Sequence, residues 1–413
     1  MHDELGQLAM AANLGAGDLD EALRIIEDME RGAEPPTPAR LEALRAQHHF
    51  YAGDLLGAAR MLEAACAPTP TPDTEECFAS LVALHGLQGR RGDAGNVFQR
   101  AVRAQLTCGS RAALPFLELG AGILLAELLA GRPRRAGLIL STGEAMMRTK
   151  GVQLTQQRDG SLVSLGHTMI HVAHGRWTEA RELLDAIVLD TTEWRTKRLV
   201  DPADGSAHIA AYLALVAAVQ GDQLVASIAR DDALAAMSIG NRSLEAHIRY
   251  LCALASLWAR MDDVALQDAR ELHAYAARHN LPLMELHAIH LRSLCGERSE
   301  ALISRAEVLS RLCDAPVADA LVDQIDVGRT AVGVRELARH GIWVPPFSST
   351  LDDLSVRERE IANLAGLGFS SADVAKRLFI SKRTVESHLR NIFAKTGVSS
   401  RDELADLLHD MRF

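Results

Sequence analysis

Aromatic side chains and β-branched runs are scarce in this chain of 413 residues. Only 4% of the residues are Phe, Trp or Tyr, while 48% are hydrophobic, with alanine and leucine prominent. Alanine and leucine favour helices, whereas sheets draw on β-branched and aromatic residues. The composition therefore predicts an all-α fold, and a chain of this length has room for two or three domains.

Cysteine pairs, secretion signals and membrane-length apolar runs are also missing. None of the six cysteines forms a Cys-x-x-Cys pair, which argues against a zinc ribbon or a disulfide framework. The first thirty residues are polar and acidic, and the longest apolar stretches are too short to cross a bilayer. We expect a soluble protein in the reducing cytoplasm.

Signatures of catalysis and of cofactor binding are absent as well. The chain has no Gly-x-Ser-x-Gly, His-Glu-x-x-His or Gly-x4-Gly-Lys-Ser/Thr pattern, so we expect neither an enzyme nor a cofactor. His167, His171 and His174 lie at helical spacing and could hold a metal, but no carboxylate or cysteine in the neighbouring sequence completes a ligand set. Hydrogen-bonded histidines are the preferred interpretation here, and for His287 and His290.

A glycine followed five positions later by alanine recurs through the first 340 residues. The pairs are Gly17/Ala22, Gly53/Ala58, Gly131/Ala136, Gly175/Ala180, Gly221/Ala226 and Gly296/Ala301. Gly92, with Val97 in place of the alanine, fills one gap, and Met261-Asp262-Asp263 fills the other without a glycine. The pattern predicts helical hairpins in which a left-handed glycine closes the first helix and the alanine allows close packing.

Hairpins of this kind stack because a single one cannot bury its apolar face. We expect a superhelix with a long concave surface. The turn phrases GDLDEA, GRWTEA and GDQLVA resemble tetratricopeptide repeats, although the unit is longer than that family's ~34 residues. The resemblance implies a surface that binds peptides or partner proteins. An irregular helical bundle is the alternative.

The repeat pattern ends before a proline-containing segment. We assign residues 1–340 to the repeats and residues 341–353, GIWVPPFSSTLDD, to a linker, because adjacent prolines exclude a helix. Residues 354–413 follow as a second domain with four helix starts. Capping serines and closing glycines mark its helices: Ser355, Ser370 or Ser371, Ser381 and Ser400 at the starts, and Gly368 and Gly397 at the ends.

The segment at 381–396 has two different faces as a helix. Val385, Leu389 and Ile392 share one face, which must be buried. The opposite face carries Arg383, Ser387, Arg390 and Ala394, with Glu386 and Asn391 at its borders. The short break before this helix is typical of a helix-turn-helix, so the slim outward face fits the major groove of DNA.

Charge supports a local DNA contact. The formal net charge of −10 excludes a protein that coats nucleic acid along its whole length. Residues 376–401 nevertheless contain seven basic residues and one acidic residue, Glu386, which is typical of a nucleic-acid interface. The alternative is an ordinary surface helix in which Glu386 pairs with Arg383 or Arg390.

Residues 354–408 resemble the LuxR-type DNA-binding domain. The matching positions are Leu354-Ser355-x-Arg357-Glu358-x-Glu360-Ile361, Gly368, Val374-Ala375, Leu378, Ile380-Ser381, Thr384-Val385, His388, Lys395, Gly397-Val398 and Ser400-Arg401. The resemblance implies a four-helix domain that binds DNA as a dimer through its fourth helix, here about residues 401–411. Thr396 departs from the family's usual apolar residue.

The resemblance also implies roles for individual residues. The base-reading positions are Glu386, Ser387 and Arg390, and the candidate phosphate contacts are Lys382, Arg383, Thr384 and Lys395. The expected dimer contacts are Leu404, Leu407 and Leu408. His388 is expected to pack or to form a bond within the domain.

Repeats followed by this domain resemble the C-terminal half of the large ATP-binding LuxR-type regulators, including the maltose-regulator branch. Because the phosphate-binding loop is missing, nucleotide control is not implied, and the chain is either a shorter relative or a fragment. We expect a transcription regulator, more often an activator in this family, whose partners are double-stranded DNA, a second copy, an effector in the repeats and RNA polymerase. The competing hypothesis is a repeat adaptor whose terminal domain docks on protein.

Overall fold

A computed structural model gives the architecture of the protein. It describes residues 19–32, 35–67, 70–71, 74–108, 114–149, 158–190, 206–239, 242–325, 354, 356–366, 368–378, 380–396, 398 and 400–410. Regular secondary structure within these ranges is entirely helical, so the all-α prediction is confirmed. The predicted linker at 341–353 and the first turn glycine, Gly17, lie outside the described residues, and the domain boundaries stay predictions.

Sixteen helices make up the described part of the chain from residue 19 to residue 325, which we name the repeat array. They are α1 (Leu19–Arg31), α2 (Pro38–Tyr51), α3 (Leu55–Cys66), α4 (Glu75–Gln88), α5 (Arg91–Cys108), α6 (Leu114–Leu129), α7 (Pro133–Thr149), α8 (Arg158–Ala173), α9 (Trp177–Asp190), α10 (Ser206–Val219), α11 (Gln223–Ile239), α12 (Glu245–Trp258), α13 (Asp262–Arg278), α14 (Pro282–Leu294), α15 (Glu300–Leu312) and α16 (Val317–Ile325). Successive helices pack as hairpins, which confirms the repeat-like stacking.

Left-handed residues separate the two helices of many hairpins. Glycines at five predicted turns have φ between 70° and 87°: Gly53, Gly131, Gly175, Gly221 and Gly296. Glycine enters this region without the steric cost of a Cβ atom, and the expectation is confirmed at all five. At the turn that lacks a glycine, Arg260 adopts φ 60°.

The turn between α4 and α5 is centred on Gly89, so its predicted position at Gly92 is wrong. Gly89 has φ 78°, whereas Gly92 lies in the first turn of α5. A Cβ atom at Gly89 would also come within 2.7 Å of the Cys313 Sγ atom. Ala94, five residues after Gly89, is completely buried, so this pair keeps the spacing of the other repeats and Val97 does not take the alanine's place.

The alanine that follows each turn packs as expected, with one exception. Ala58, Ala136, Ala180 and Ala226 are completely buried. Ala301 is exposed, because α15 begins only at Glu300, where Ser299 accepts a hydrogen bond from Leu302 N as its cap. The longer connection after Gly296 shifts the register, and Ala306 is the completely buried alanine of this helix.

The repeat array closes on itself. One apolar core extends from Ala43 to Ile325, and α4 packs against α14. Asp314 N donates to the Gly89 carbonyl oxygen at 3.0 Å, and Arg242 N donates to the Tyr51 carbonyl oxygen at 2.8 Å. The expected long concave surface is therefore covered where the turn after α4 meets α14 and the segment before α16.

Buried carboxylates within the array are held by arginines. Asp268 accepts from Arg230 Nε at 2.9 Å and from Arg230 Nη2 at 2.6 Å, and it also accepts from Ser256 Oγ at 2.9 Å. Glu285 accepts from Arg305 Nε at 2.7 Å and from Nη2 at 2.8 Å. Each pair joins two helices, so these charges are matched inside the array and fix how its helices pack.

The terminal domain consists of α17 (Val356–Gly366), α18 (Ser371–Leu378), α19 (Lys382–Thr396) and α20 (Arg401–Asp410). These helices agree with the four predicted starts. A separate apolar core holds them together and includes Leu354, Ile361, Val374, Val385, Leu389, Ile392 and Leu404. Gly368, with φ 84°, lies in the turn after α17, as predicted.

Among the described residues, no helix is long and apolar enough to cross a membrane.

Candidate nucleic-acid interface

Two serine caps position the helix-turn-helix of the terminal domain. Ser370 Oγ accepts a hydrogen bond from Asp373 N at 3.2 Å at the start of α18. Ser381 Oγ accepts from Thr384 N at 3.0 Å at the start of α19. Each bond satisfies one amide that has no partner within its helix, so the turn between α18 and α19 has a defined geometry.

One face of α19 is anchored in the domain core. Val385 and Ile392 are completely buried, and Leu389 is nearly so. These are the three residues that the helical pattern assigned to the buried face, and their burial confirms the assignment. The anchoring fixes the rotation of α19 and therefore determines which side chains point outward.

The outward face of α19 carries the predicted base-reading residues. Glu386, Ser387 and Arg390 are all exposed, and so are Arg383 and Asn391, which lie on the same side or at its border. Ala394, the other residue predicted there, has a side chain outside the described residues. Ser387 is short, so the helix surface between the two arginines is slim. A surface of this shape can approach the edges of base pairs in the major groove.

The two arginines of this face have no carboxylate partner among the described residues of the terminal domain. Neither Arg383 nor Arg390 forms an ion pair with any part of the terminal domain that the structure describes. Glu386 pairs instead with Lys382, with 3.7 Å between the Oε1 and Nζ atoms. The alternative in which Glu386 neutralises Arg383 or Arg390 is therefore wrong. Both partners of the observed pair are more than half exposed, so the pair is weak and easily exchanged for another contact.

Three of the four predicted phosphate contacts lie around the start of α19. Lys382, Arg383 and Thr384 are exposed, and the Thr384 hydroxyl lies 2.7 Å from the Ser381 hydroxyl. The side chain of Lys395 lies outside the described residues. The positive end of the α19 dipole adds to the charge of Lys382 and Arg383 at this position, so this end of the helix attracts anions.

Two arginines of the domain serve its own structure. Arg401 Nη1 donates to the Phe369 carbonyl oxygen and its Nη2 to Ser371 Oγ, both at 2.6 Å. Arg357 Nη2 donates to the Leu378 carbonyl oxygen at 2.6 Å. The sequence count of basic residues included Arg401 among the cations near the motif, but this side chain fastens the start of α18 to α20.

A third arginine of the domain covers an aromatic ring. The Arg377 guanidinium lies 4.1 Å from the centre of the Phe369 ring, as in a cation–π contact. Its spacing from Phe369, eight residues along the sequence, gives no signal of this contact. Arg377 therefore contributes charge near the motif while its guanidinium is already engaged.

The predicted dimer contacts need one correction. Leu404 is completely buried in the core of the terminal domain, so no part of its side chain is left for a second copy. Leu407 and Leu408 have side chains outside the described residues, and their role stays a prediction. The sequence of α20 has leucines at 404, 407 and 408. Their helical spacing alone does not show which of them the domain core buries.

Two further residues of α19 behave as parts of the domain. Thr396 is buried, and its hydroxyl donates to the Ile392 carbonyl oxygen at 2.6 Å, so the polar group in place of an apolar one is satisfied. His388 is half-buried, as expected for a residue that packs within the domain.

The histidines considered as metal ligands do not converge. His167 pairs with Glu144 at 3.0 Å between Nε2 and Oε1, and His174 Nδ1 lies 2.8 Å from the Ile170 carbonyl oxygen. No group of three or more His, Cys, Asp or Glu residues suited to a metal is found in the described ranges. Hydrogen bonding is the role of His167 and His174.

Comparisons with known proteins agree with this geometry. The family model "Bacterial regulatory proteins, luxR family" matches residues 352–408. An HTH-type transcriptional regulator of Mycobacterium bovis is 47% identical over 53 residues, which are 13% of this chain and 6% of that protein. The monoamine regulon transcriptional regulator of Klebsiella aerogenes is 51% identical over 51 residues, covering 12% of this chain and 22% of the relative.

A third relative is the oxygen regulatory protein NreC of Staphylococcus aureus, which is 42% identical over 53 residues, covering 13% of this chain and 24% of the relative. The three similarities cover 51 to 53 residues of this chain, and the matched part spans a quarter or less of each of these relatives. The C-terminal segment is thus a LuxR-family helix-turn-helix domain.

Proposed function

We propose that the protein is a DNA-binding transcriptional regulator that reads its site with the outward face of α19. The observation that carries this proposal is the pair of arginines, Arg383 and Arg390, which point away from the core without carboxylate partners in the described domain. An unpaired, exposed guanidinium retains all its donors for an external anion or a base edge.

The three base-reading candidates have complementary chemistry. Arg390 can donate two hydrogen bonds to the O6 and N7 atoms of guanine. Ser387 is small enough for the helix backbone to come near the bases. Glu386 can accept a hydrogen bond from a cytosine amino group, and its weak pairing with Lys382 leaves it free to do so.

The phosphate contacts are proposed for Lys382, Arg383, Thr384 and Lys395. The first three surround the start of α19, where the helix dipole favours a negative group. Contacts of this kind position the domain on the duplex and carry no sequence information themselves. We propose that two copies bind together through α20, with Leu407 and Leu408 as the candidate contacts and half-sites about one helical turn apart.

The repeat array is proposed as the part that receives a signal. Its resemblance to tetratricopeptide repeats, and that of the whole chain to the C-terminal half of large ATP-binding LuxR-type regulators, support a regulatory role. An effector in the array would change how two terminal domains are presented, and the regulator would then activate transcription in the cytoplasm by recruiting RNA polymerase.

A repeat adaptor whose terminal domain docks on another protein is the second candidate. It is favoured by the balance of ten basic and ten acidic residues in 350–413, which leaves that segment without net charge. DNA contacts release counterions from the duplex, so affinity falls steeply with salt, whereas a protein contact need not show this dependence.

Salt titration of the full chain on DNA tests the proposal. Genomic fragments captured by the purified chain supply the DNA, and fluorescence anisotropy measures affinity between ~50 and ~200 mM salt. We expect log affinity to fall linearly with log salt, by about 0.9 for each phosphate contact. A double variant, Arg383→Ala with Arg390→Ala, should lose most of this affinity.

Arg311→Ala is the matched control, since Arg311 is an exposed arginine on α15 of the array. This control removes one positive charge, as each of the two substitutions on α19 does, but leaves α19 intact. Its affinity for DNA should therefore stay near that of the unchanged chain. Absence of salt-dependent DNA binding, or equal losses in the control and the double variant, would contradict the proposal.

A further inference from the structure

A cavity of about 150 Å³, partly open to solvent, lies between helices of the repeat array. Side chains from α6, α8, α10, α12, α14 and α16, together with the first residue of α9, line it. These helices come from different repeats, so the cavity exists only because the array closes on itself. It lies outside the terminal domain and has no part in the DNA contact.

Aromatic side chains are concentrated in the walls of this cavity. Trp177, Trp258, Tyr212 and Tyr250 all line it, which is half of the four tryptophans and half of the four tyrosines in the whole chain. A protein with so few aromatic residues has placed many of them around one space. Flat, polarisable walls of this kind favour a flat ring as occupant.

Two buried histidines add polar groups without charge. His287 is 5% exposed, and neither of its ring nitrogens makes a hydrogen bond of normal geometry with the described protein. His290 is 7% exposed and lies next to the Gln324 side chain, and its Nε2 atom makes no hydrogen bond of normal geometry with the described protein. A buried polar group without a partner costs free energy, so an occupant that can form hydrogen bonds with these nitrogens would be favoured.

The third histidine of the cavity is already engaged. His247 Nδ1 lies 3.1 Å from His208 Nε2, so this pair satisfies itself. The Tyr250 ring packs against His287 in a tilted arrangement, with 4.7 Å between ring centres and 48° between ring planes. The unsatisfied polar atoms of the histidines are thereby confined to one side of the cavity, on α14.

Charge and size restrict the class of ligand further. None of the described residues that line the cavity is Asp, Glu, Lys or Arg. Burial lowers the pKa of His287 to about 3 and that of His290 to about 4, so both are neutral near pH 7. A charged ligand would be buried without a counter-charge, at high cost. A cavity of this volume holds a molecule with about one ring, as apolar cavities of similar size bind benzene.

We propose that this cavity is a binding site for an uncharged single-ring aromatic molecule with a hydroxyl group, a phenol, held by His287 and His290. A hydroxyl both donates and accepts, so it matches a neutral imidazole in either tautomer. The walls supply ring contacts, and α14 supplies the polar contact. The cavity's role as the signal site of the regulator rests on the proposed function, whereas the binding itself does not.

Calorimetry and ligand-observed NMR on the full chain test the proposal with three probes. Phenol should bind, benzene should bind about tenfold more weakly because it forfeits one hydrogen bond, and benzoate should not bind measurably. Absence of phenol binding at concentrations where benzene binds, or equal affinity for both, would contradict the assignment of the histidines. Absence of binding by all three, with water alone satisfying the histidines, would overturn the site.

A variant separates the hydrogen bond from the fold. His287→Leu should reduce the preference of phenol over benzene while leaving benzene binding within about threefold, since the cavity keeps its apolar walls. Benzene binding also shows that the variant is folded. His49→Gln, at an exposed histidine of α2 that pairs with Asp54, is the control and should leave both affinities unchanged. An unchanged phenol preference in His287→Leu would refute the proposal.

One further arm distinguishes this inference from the proposed function. The double variant Arg383→Ala with Arg390→Ala lacks the proposed DNA contact but has an intact array. It should bind phenol with the affinity of the unchanged chain. Loss of phenol binding in this variant would contradict a site confined to the array, whereas DNA binding without phenol binding in the unchanged chain would overturn only the cavity assignment.

Discussion

Arginines of the repeat array and arginines on α19 are used in opposite ways. In the array, Arg230 and Arg305 each hold a buried carboxylate with two hydrogen bonds. On α19, Arg383 and Arg390 lie on the surface without an ion pair in the described domain. Arg230 and Arg305 are therefore neutralised inside the array, whereas Arg383 and Arg390 are presented outward.

This difference separates arginines that stabilise the fold from those available for a partner. Removing a guanidinium that faces a buried carboxylate leaves that carboxylate buried without a compensating charge. A guanidinium on the surface has no such role, so its substitution should affect binding and spare stability. The counts of basic residues in a sequence do not distinguish the two, but their contacts do.

Asp268→Ala should break the array most severely. It leaves Arg230, whose side chain is 14% exposed, without its buried partner, and such a loss costs about 3–5 kcal/mol. Urea unfolding monitored by circular dichroism measures the change in the free energy of unfolding. Asp231→Ala is a matched control, because Asp231 contacts the same arginine but is 67% exposed; its cost should stay within ~1 kcal/mol. Equal costs for the two substitutions would contradict the account of buried pairing.

Gly89→Ala tests the closure of the array. The substitution strains a left-handed residue by about 1–2 kcal/mol and places a Cβ atom 2.7 Å from Cys313 Sγ and 2.9 Å from Leu283 Cβ. The overlap should add about 1–3 kcal/mol. Gly221→Ala shares the left-handed backbone but meets no atom within 4 Å, so the difference between the two unfolding free energies isolates the contact. No difference would show that the closure seen between the turn and α14 does not contribute to stability.

Acidification should destabilise the array through its buried histidines. Burial lowers the pKa of His287 to about 3 and that of His290 to about 4, below the ordinary value near 6.5. The unfolded chain then binds more protons than the folded one between these values, so stability is full above pH ~6.5 and falls as the pH decreases.

The slope should reach about 1.4 kcal/mol per pH unit for each histidine, measured as unfolding free energies between pH ~7.5 and ~5. Arg298 and Gln324 also influence the pKa of His290, but burial is the largest cause, so this pKa is still lowered. His287→Leu should flatten the slope, and an unchanged slope in this variant would contradict the burial of a neutral imidazole.

Lys382→Ala should have the smallest effect of these substitutions. It tests whether a surface cation of α19 contributes to DNA binding without contributing to stability. The unfolding free energy should change by less than ~0.5 kcal/mol, because the pair with Glu386 is exposed. Affinity for all DNA sequences should fall to a similar extent, and the salt slope should decrease by about one. A change of base preference would show that Lys382 reads bases, against its proposed role.

Helix-level features of both regions followed from local sequence patterns. The turn glycines, the serine caps and the buried face of α19 depend on residues within a few positions of one another, and the structure agrees with them at Gly131, Ser381 and Val385. Gly89, with Ala94 five positions later, fits the repeat pattern better than Gly92, which is followed by Val97. The prediction at Gly92 was therefore wrong although the sequence pattern itself indicated Gly89, the residue with φ 78°. The approach of Cys313 to Gly89, more than two hundred residues away in sequence, left no such signal.

Long-range contacts were beyond the sequence patterns. The bond from Arg401 to Phe369 and the burial of Leu404 depend on how helices pack in three dimensions. One sequence pattern is related to the cavity. His208, His247 and His287 recur at intervals of 39 and 40 residues, close to the repeat period. Such a recurrence places them at equivalent positions of successive inner helices, and it could have directed attention to the interior of the array.

Selection of DNA sites by the unchanged chain and by Arg390→Ala tests the central claim most directly. Both proteins are incubated with a random duplex library, and the bound sequences are compared position by position. The account predicts that Arg390→Ala loses a guanine preference at one position of each half-site, with a cost of about 1–3 kcal/mol on the best site, while the other positions keep their preferences. Identical preferences in the two proteins would contradict the claim that this face of α19 reads DNA.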